Sequence, residues 1–337
     1  MRDVVILEQE PTPGAHASGR NAAMVRQAVL PESVFPLAVE GARFIRGVSG
    51  EHLLLRECGS LILARGADAE AARRSIPRAR SAGLNADWLD EEAVVRRVPI
   101  VTGARFDGAV ALADDGVVDV AALLALYLNG ARAGGATLLP ERRAESLRVR
   151  NGDVVGVETQ RETIEARWTV NAAGAWAGQL GAGAGAPLPL RPCRRHLAVS
   201  HAVEGVAPGW PFVWDVSEGI YFRPEPPGLL LCACDEDEQP PGEAVADPGV
   251  LEMLAQKITR HLPRLAGVRV ARYWAGLRTL TPDGAFAIGR DPRLGGLVWC
   301  AGLGGHGVTT SAAAGRLAAE AVLGRPAVAA HDPGRLL

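Results

Sequence analysis

The stretch LVWCAGLGGHGVTTSAAAGRLAAEAVL, residues 297–323, does most to constrain the fold. Five apolar residues, Leu297 to Ala301, predict a short buried strand, Gly302 to Gly307 a tight turn, and Val308 to Leu323 a helix with small residues along one face. Gly302, Gly304 and Gly307 spell GxGxxG. Such a turn lets backbone approach a flat or anionic ligand, and the helix that follows presents free N–H groups and the positive end of its dipole. The full dinucleotide fingerprint also requires a second strand and a ribose-binding acid beyond the helix, and the sequence after Leu323 offers neither. Two readings stay open at this point: a ligand-cradling turn, and a plain strand-to-helix turn.

The opening residues supply what the other end lacks. Val4 to Leu7 form a four-residue apolar run closed by Glu8, which reads as a buried parallel strand with a carboxylate at its carboxyl end. In a dinucleotide fold that acid follows a strand, a glycine turn and a helix by about 20 residues. Only seven residues precede Glu8. Either the strand reading fails, or the chain enters a nucleotide-binding unit whose first third is absent.

Net charge of −2 with interspersed acids and bases leaves no basic stripe for nucleic acid and no polybasic membrane anchor, so a small-molecule partner is expected. No apolar run reaches membrane-spanning length, and MRD is unlike a signal peptide. Five cysteines without a CxxC pair argue for a reducing, cytoplasmic setting and against a disulfide or zinc framework. Cys232 and Cys234 read as ordinary strand cysteines, and no metal site is expected.

Between the two ends, helices are expected from about Glu32 to Val48, after Asp119 as its cap, and near Asp247 to His261. The helix-like run DAEAARRSIPRARSAGL is expected to break at Pro77. Asn151 to Asp153, NGD, signals a hairpin inside a three-strand stretch. LGAGAGA, residues 180–186, reads as a flexible loop because prolines follow it, and the acidic run Asp235 to Glu238 reads as a solvated loop.

Taken in order, VVILEQE with SGRNAA, VNAAGAWA, GIYFRPE, GLRTLTPDGAFAIG and VWCAGLGGHGVTTSAAAGRLAAE resemble the flavin-dependent amino-acid oxidase/dehydrogenase family, the group of glycine oxidase, sarcosine oxidase and D-amino-acid dehydrogenase. The resemblance covers nearly the whole chain. It implies a mixed α/β fold: a glutathione-reductase-type FAD-binding domain from residues 1–50, 114–188 and 276–330, and a mainly antiparallel-sheet substrate domain from 51–113 and 189–275. It also implies that about 25 to 30 residues, one β-turn-α unit, are missing before Met1, for which a mis-assigned start codon is the preferred cause.

Carried over by residue, Glu8 matches the ribose ligand, and Ser18, Gly19, Arg20 and Asn21 match the loop beneath the pyrophosphate. Ala144 falls beside the adenine, Ala173, Gly174 and Trp176 at a second nucleotide contact, and Gly302, Gly304, Gly305, His306, Gly307, Val308 and Thr309 along the flavin-end loop. His306 is expected to hydrogen-bond within that loop. Arg278 matches the arginine that binds the substrate carboxylate, a task suited to a planar fork. Tyr221 and Arg223 share one face of a strand by period-two alternation, and the resemblance lays that strand against the substrate. Gly276 stands where covalent-flavin members carry cysteine, so FAD is expected to be held non-covalently.

The implied chemistry is oxidation of a small amino acid or secondary amino acid, with hydride leaving Cα–H for the flavin and the imino acid hydrolysing in water; the cofactor carries the difficult step. Two alternatives stand beside it. One is an inactive or partner-dependent chain that cannot hold FAD without its phosphate-binding turn. The other is the FAD subunit of a multi-chain dehydrogenase; a homo-oligomer is compatible with each.

Overall fold

A computed structural model describes residues 3–28, 31–49 and 54–337. Its largest element is a nine-stranded sheet, in which every pairing is antiparallel except that of Phe212–Asp215 with Ser60–Ala64. The strand Ser60–Ala64 shows why the sheet is covered on both sides. Leu61 and Leu63 face a cluster built with Val250, Leu254 and Ile258 of the helix Gly249–His261, whereas Ile62 and Ala64 face the helices Ala67–Ser81, Phe35–Val48 and Ser311–Val322. With both faces buried, the strand reads as a continuous apolar run rather than an alternating one.

The nucleotide-type elements form smaller sheets. Val5–Leu7 pairs in parallel with Thr137–Leu139, and Thr169–Asn171 pairs in parallel with Leu297–Ala301, which Ala287–Arg290 flanks on its other side. The hairpin Ala144–Arg150 and Asp153–Thr159 turns at Asn151 and Gly152, whose φ values of 52° and 86° are those a two-residue turn of the primed type requires. Asp119 caps Val120–Ala133 by accepting the Ala122 N–H at 2.9 Å. The long strand Val270–Leu280 runs across the boundary expected between residues 275 and 276, and the boundary at residue 50 lies outside the described residues. No helix among the described residues is long and apolar enough to cross a membrane.

Four local expectations are corrected. Pro77 does not break its helix: Ala67–Ser81 runs through it, because Pro77 faces solvent, where water can satisfy the carbonyl it leaves free, while Ala69, Ala72, Ile76 and Ala79 pack inward. LGAGAGA is not a loop at its start, since the helix Ala177–Gly183 enters it and Gly181 lies under the Trp299 ring. The acidic run is only partly solvated. Asp235 is buried, accepting His196 N–H at 3.0 Å and the His196 Nδ1–H at 2.6 Å, and Asp237–Glu238 forms a short exposed strand beside Cys193–Arg194. The helices expected from Glu32 and Val308 start at Phe35 and Ser311, each after a turn.

Candidate functional site

The opening strand ends at the mouth of a cleft of about 350 Å³. Glu8, Ser18, Arg20, Ala144, Ala173, Gly174 and Trp176 all line it, so residues from three distant parts of the chain meet there. The Glu8 backbone continues the parallel ladder by donating to Leu139 O at 3.0 Å, and its carboxylate accepts the Glu10 N–H at 2.9 Å. The loop 14–21 coils on itself: Asn21 Nδ2 donates to Ser18 O at 2.5 Å, and a Cβ on Gly19 would fall 2.3 Å from Gly14 O, which only glycine avoids. Gly19 and Asn21 open onto a neighbouring shallow depression instead of the cleft. His16, Arg142 and Arg143, none of them singled out from sequence, also line the cleft; His16 lies edge-on to Trp176 at 4.8 Å.

The glycine turn near the carboxyl end meets the opening segment directly. Arg26 N–H donates to Thr309 Oγ1 at 3.2 Å, and the same hydroxyl donates to Met24 O at 3.3 Å. Gly305, at φ 92°, lies so close to Arg278 that a Cβ would come within 2.9 Å of the guanidinium carbon. Gly302 has φ 70° and Gly304 φ 54°, Gly307 abuts Leu303, and Val308 packs with Val25 and Ile45. His306 holds the turn through its backbone, its carbonyl accepting from Thr310 N–H and Oγ1; its ring makes no hydrogen bond among the described residues. Burial, with Arg26 and Arg278 nearby, pushes its imidazole down to about 3, so the ring is neutral.

Tyr221, on Ile220–Glu225, is fully buried; its hydroxyl faces the Cys232 thiol and has no oxygen or nitrogen partner. Arg278 is half-buried and carries neither an ion pair nor a side-chain hydrogen bond among the described residues. Arg223 differs: it is engaged by Ala22 O at 2.8 Å, Pro224 O at 3.0 Å and Glu225 Oε2 at 2.5 Å, which ties its strand to the opening loop. Sequence reasoning missed Arg26, whose guanidinium sits 4.1 Å over the Trp214 ring, which in turn packs 4.9 Å from Tyr221. It also missed the Cys232 thiol: burial opposes its ionisation, but Cys234, Arg195 and Arg278 outweigh that and pull it down to about 6. No group of three or more metal-ligating side chains is assembled among the described residues.

Asp115, immediately before the strand Gly116–Val118, fixes the backbone next to Arg26. It is buried, and its carboxylate accepts Gln27 N–H at 2.8 Å and Ser60 Oγ–H at 2.7 Å. Burial, only partly offset by those bonds, pushes its carboxyl up to about 6. A raised acid holds its proton longer in the folded state, so its ionisation removes stability as pH rises from about 4 to 6. Relative to Asp115→Asn, the wild type is therefore expected to lose on the order of 2 kcal/mol over that interval in urea unfolding. A pH-independent difference between the two would rule out this account.

A segmented nucleotide-type α/β half, joined to a mainly antiparallel sheet across a glycine-walled cleft, defines the class of glutathione-reductase-type flavoproteins. The description DAO, FAD dependent oxidoreductase, matches residues 1–321, and the chain belongs to that family. It is 28% identical over 336 residues to 4-methylaminobutanoate oxidase (formaldehyde-forming) of Paenarthrobacter nicotinovorans, covering 95% of this chain and 40% of that protein. Among solved structures it is similar to L-proline dehydrogenase from P. horikoshii, with a TM-score of 0.88, 23% identity, and coverage of 99% of this chain and 91% of that one. Glycine oxidase from Geobacillus kaustophilus has a TM-score of 0.81 and 25% identity over 99% and 92%. The chain spans only about 40% of the length of the first curated relatives it matches.

Proposed function

We propose that the chain oxidises the C–N bond of a small amino acid or secondary amino acid, using FAD held without a covalent bond. The observation that carries this reading is the unpaired Arg278 guanidinium laid on Gly305, with a buried Tyr221 hydroxyl near it that faces the Cys232 thiol and has no oxygen or nitrogen partner. A buried polar group without a partner is costly, which supports a ligand that satisfies it. Glu8, Ser18 and Arg20 on one wall, with Ala173, Gly174 and Trp176 on the other, would hold the nucleotide end, and the glycine turn 302–307 would lie against the ring end. When bound, FAD supplies a two-electron acceptor. Gly276 supports non-covalent attachment, since it carries no thiol, and a Cβ there would press to 3.1 Å from Arg20 Cβ.

In this reading Arg278 takes the substrate carboxylate in a bidentate fork, and the missing side chain at Gly305 lets that fork lie flat against the turn. Tyr221 donates its O–H to the same substrate, and His306 stays neutral. No protein base is needed when the amine arrives deprotonated. The names of the relatives, a methylaminobutanoate oxidase and a glycine oxidase, support an amine that also carries a carboxylate. The five free thiols support a reducing compartment.

The test is reconstitution with FAD, followed by anaerobic addition of glycine, sarcosine, proline or D-amino acids. At least one is expected to bleach the flavin absorbance, and acid is expected to release all the colour from the protein. Failure to take up FAD, or reduction by 2-hydroxy acids alone, would remove the proposal.

A further inference from the structure

Two half-buried guanidiniums, not one, stand without an ion pair beside the glycine turn. Arg278 lies against Gly305, at one end of the glycine turn, while the backbone of Arg26 is hydrogen-bonded to Thr309 at the other end. Arg26 lies over Trp214 and Trp214 packs against Tyr221, a run of contacts that leads toward Arg278, whose charge acts on both Arg26 and Tyr221. Trp214 is the close partner of Arg26, and an indole face carries no formal charge. Asp115, whose charge acts on Arg26, makes no ion pair with it; its two oxygens take Gln27 N–H and Ser60 Oγ–H. Arg195 also faces Tyr221 and Cys232, but Glu236 Oε2 neutralises it at 3.0 Å. Neither Arg26 nor Arg278 lines the Glu8 cleft, so the phosphates of a dinucleotide lying there would leave both unneutralised.

A carboxylate seated as a fork on Arg278 leaves the half-buried Arg26, on its own indole face, without an anion of its own. We propose that the substrate is a dianionic amino acid, with the carboxylate next to the reacting amine on Arg278 and a second carboxylate on Arg26. This rests on the amino-acid oxidation reading and narrows it to amino dicarboxylates. Trp214 then acts as a wall that holds the Arg26 fork in plane and excludes water from the second carboxylate.

The test compares each acid with its own monoamide on the FAD-loaded chain: iminodiacetate, and both enantiomers of aspartate, glutamate and 2-aminoadipate. At least one dicarboxylate is expected to exceed its monoamide by about 100-fold in kcat/KM, the discrimination of a desolvated charge-assisted pair. In Arg26→Gln that ratio is expected to fall below about 5-fold, and in Arg26→Lys, which keeps the charge but not the fork, to lie between. Equal turnover of acid and monoamide throughout, or a preference that survives Arg26→Gln, overturns the proposal while leaving amino-acid oxidation standing. A second arm uses ligands that cannot be oxidised: malonate, succinate, glutarate and adipate against their monoamides, read as thermal shift and as perturbation of the flavin spectrum. Tighter binding of a diacid when no amino acid bleaches the flavin would support the two-anion site and sink the oxidation reading. No difference in that arm overturns the two-anion site.

Discussion

Replacing Arg278 by Gln is expected to lower kcat/KM for any accepted amino acid by about 10²- to 10³-fold, the cost of removing one partner of a buried charge pair. The loss should fall mainly on KM, because a carboxylate that keeps its charge throughout the reaction is held equally in the ground and transition states. Arg278→Lys should recover part of the affinity but not the bidentate geometry. Little effect on folding is expected, since the guanidinium carries no ion pair or side-chain hydrogen bond among the described residues. Steady-state kinetics with the best substrate, alongside urea unfolding of both variants, separates the two effects. Unchanged KM in Arg278→Gln would mean that the residue does not touch substrate.

Trp299→Ala is expected to be the most damaging single change to the fold, costing about 3–5 kcal/mol by loss of a fully buried aromatic side chain. Trp299 is fully buried in the strand Leu297–Ala301, directly before the glycine turn. The far edge of its ring fills the space over Gly181, where a Cβ would fall 2.2 Å from Cη2, and its Nε1–H donates to Asp291 Oδ2 at 2.9 Å. Removing it opens a cavity and deprives a buried carboxylate of one of its donors, although Arg293 still donates to the same oxygen at 2.7 Å. Trp299→Phe should lose less, keeping the packing and forfeiting the hydrogen bond. A shift below about 1 kcal/mol for the Ala variant, measured by urea unfolding, would show that the neighbouring elements collapse to fill the space.

Local signals in the sequence translated well where the chemistry is local. Asn151 and Gly152 adopt the positive φ values their turn demands, Asp119 caps the helix after it, and the strand, glycine turn and helix near the carboxyl end appear in that order. The misses are tertiary. Gly181 lies in a helix because the Trp299 ring occupies the place of its side chain, and packing of that kind overrides intrinsic propensity. Asp235 reads as solvent-facing until His196, 39 residues away, folds against it. Arg26 sits in AAMVRQA, among so many arginines that nothing in the letters sets it apart; only its seat over Trp214 does. The candidate cleft was legible because its walls are glycine and alanine segments with a fixed order. The state of Arg26 and Arg278 was not, because their pairing or lack of it depends on neighbours far along the chain.

The strand that carries Arg278 is also the outermost one on its side of the large sheet, eleven residues long and, among the described residues, paired only with Arg191–Ser200. At its middle, Arg20 reaches the Ala275 carbonyl at 3.4 Å and anchors on Glu243 at 2.6 Å, with its stem over Gly276. A long bare rim of this kind invites neighbouring molecules to dock ribbon against ribbon. Here the loop from the start of the chain lies across the rim and takes up an acceptor that such growth would use, so the segment that walls the candidate cleft also guards the sheet against polymerisation.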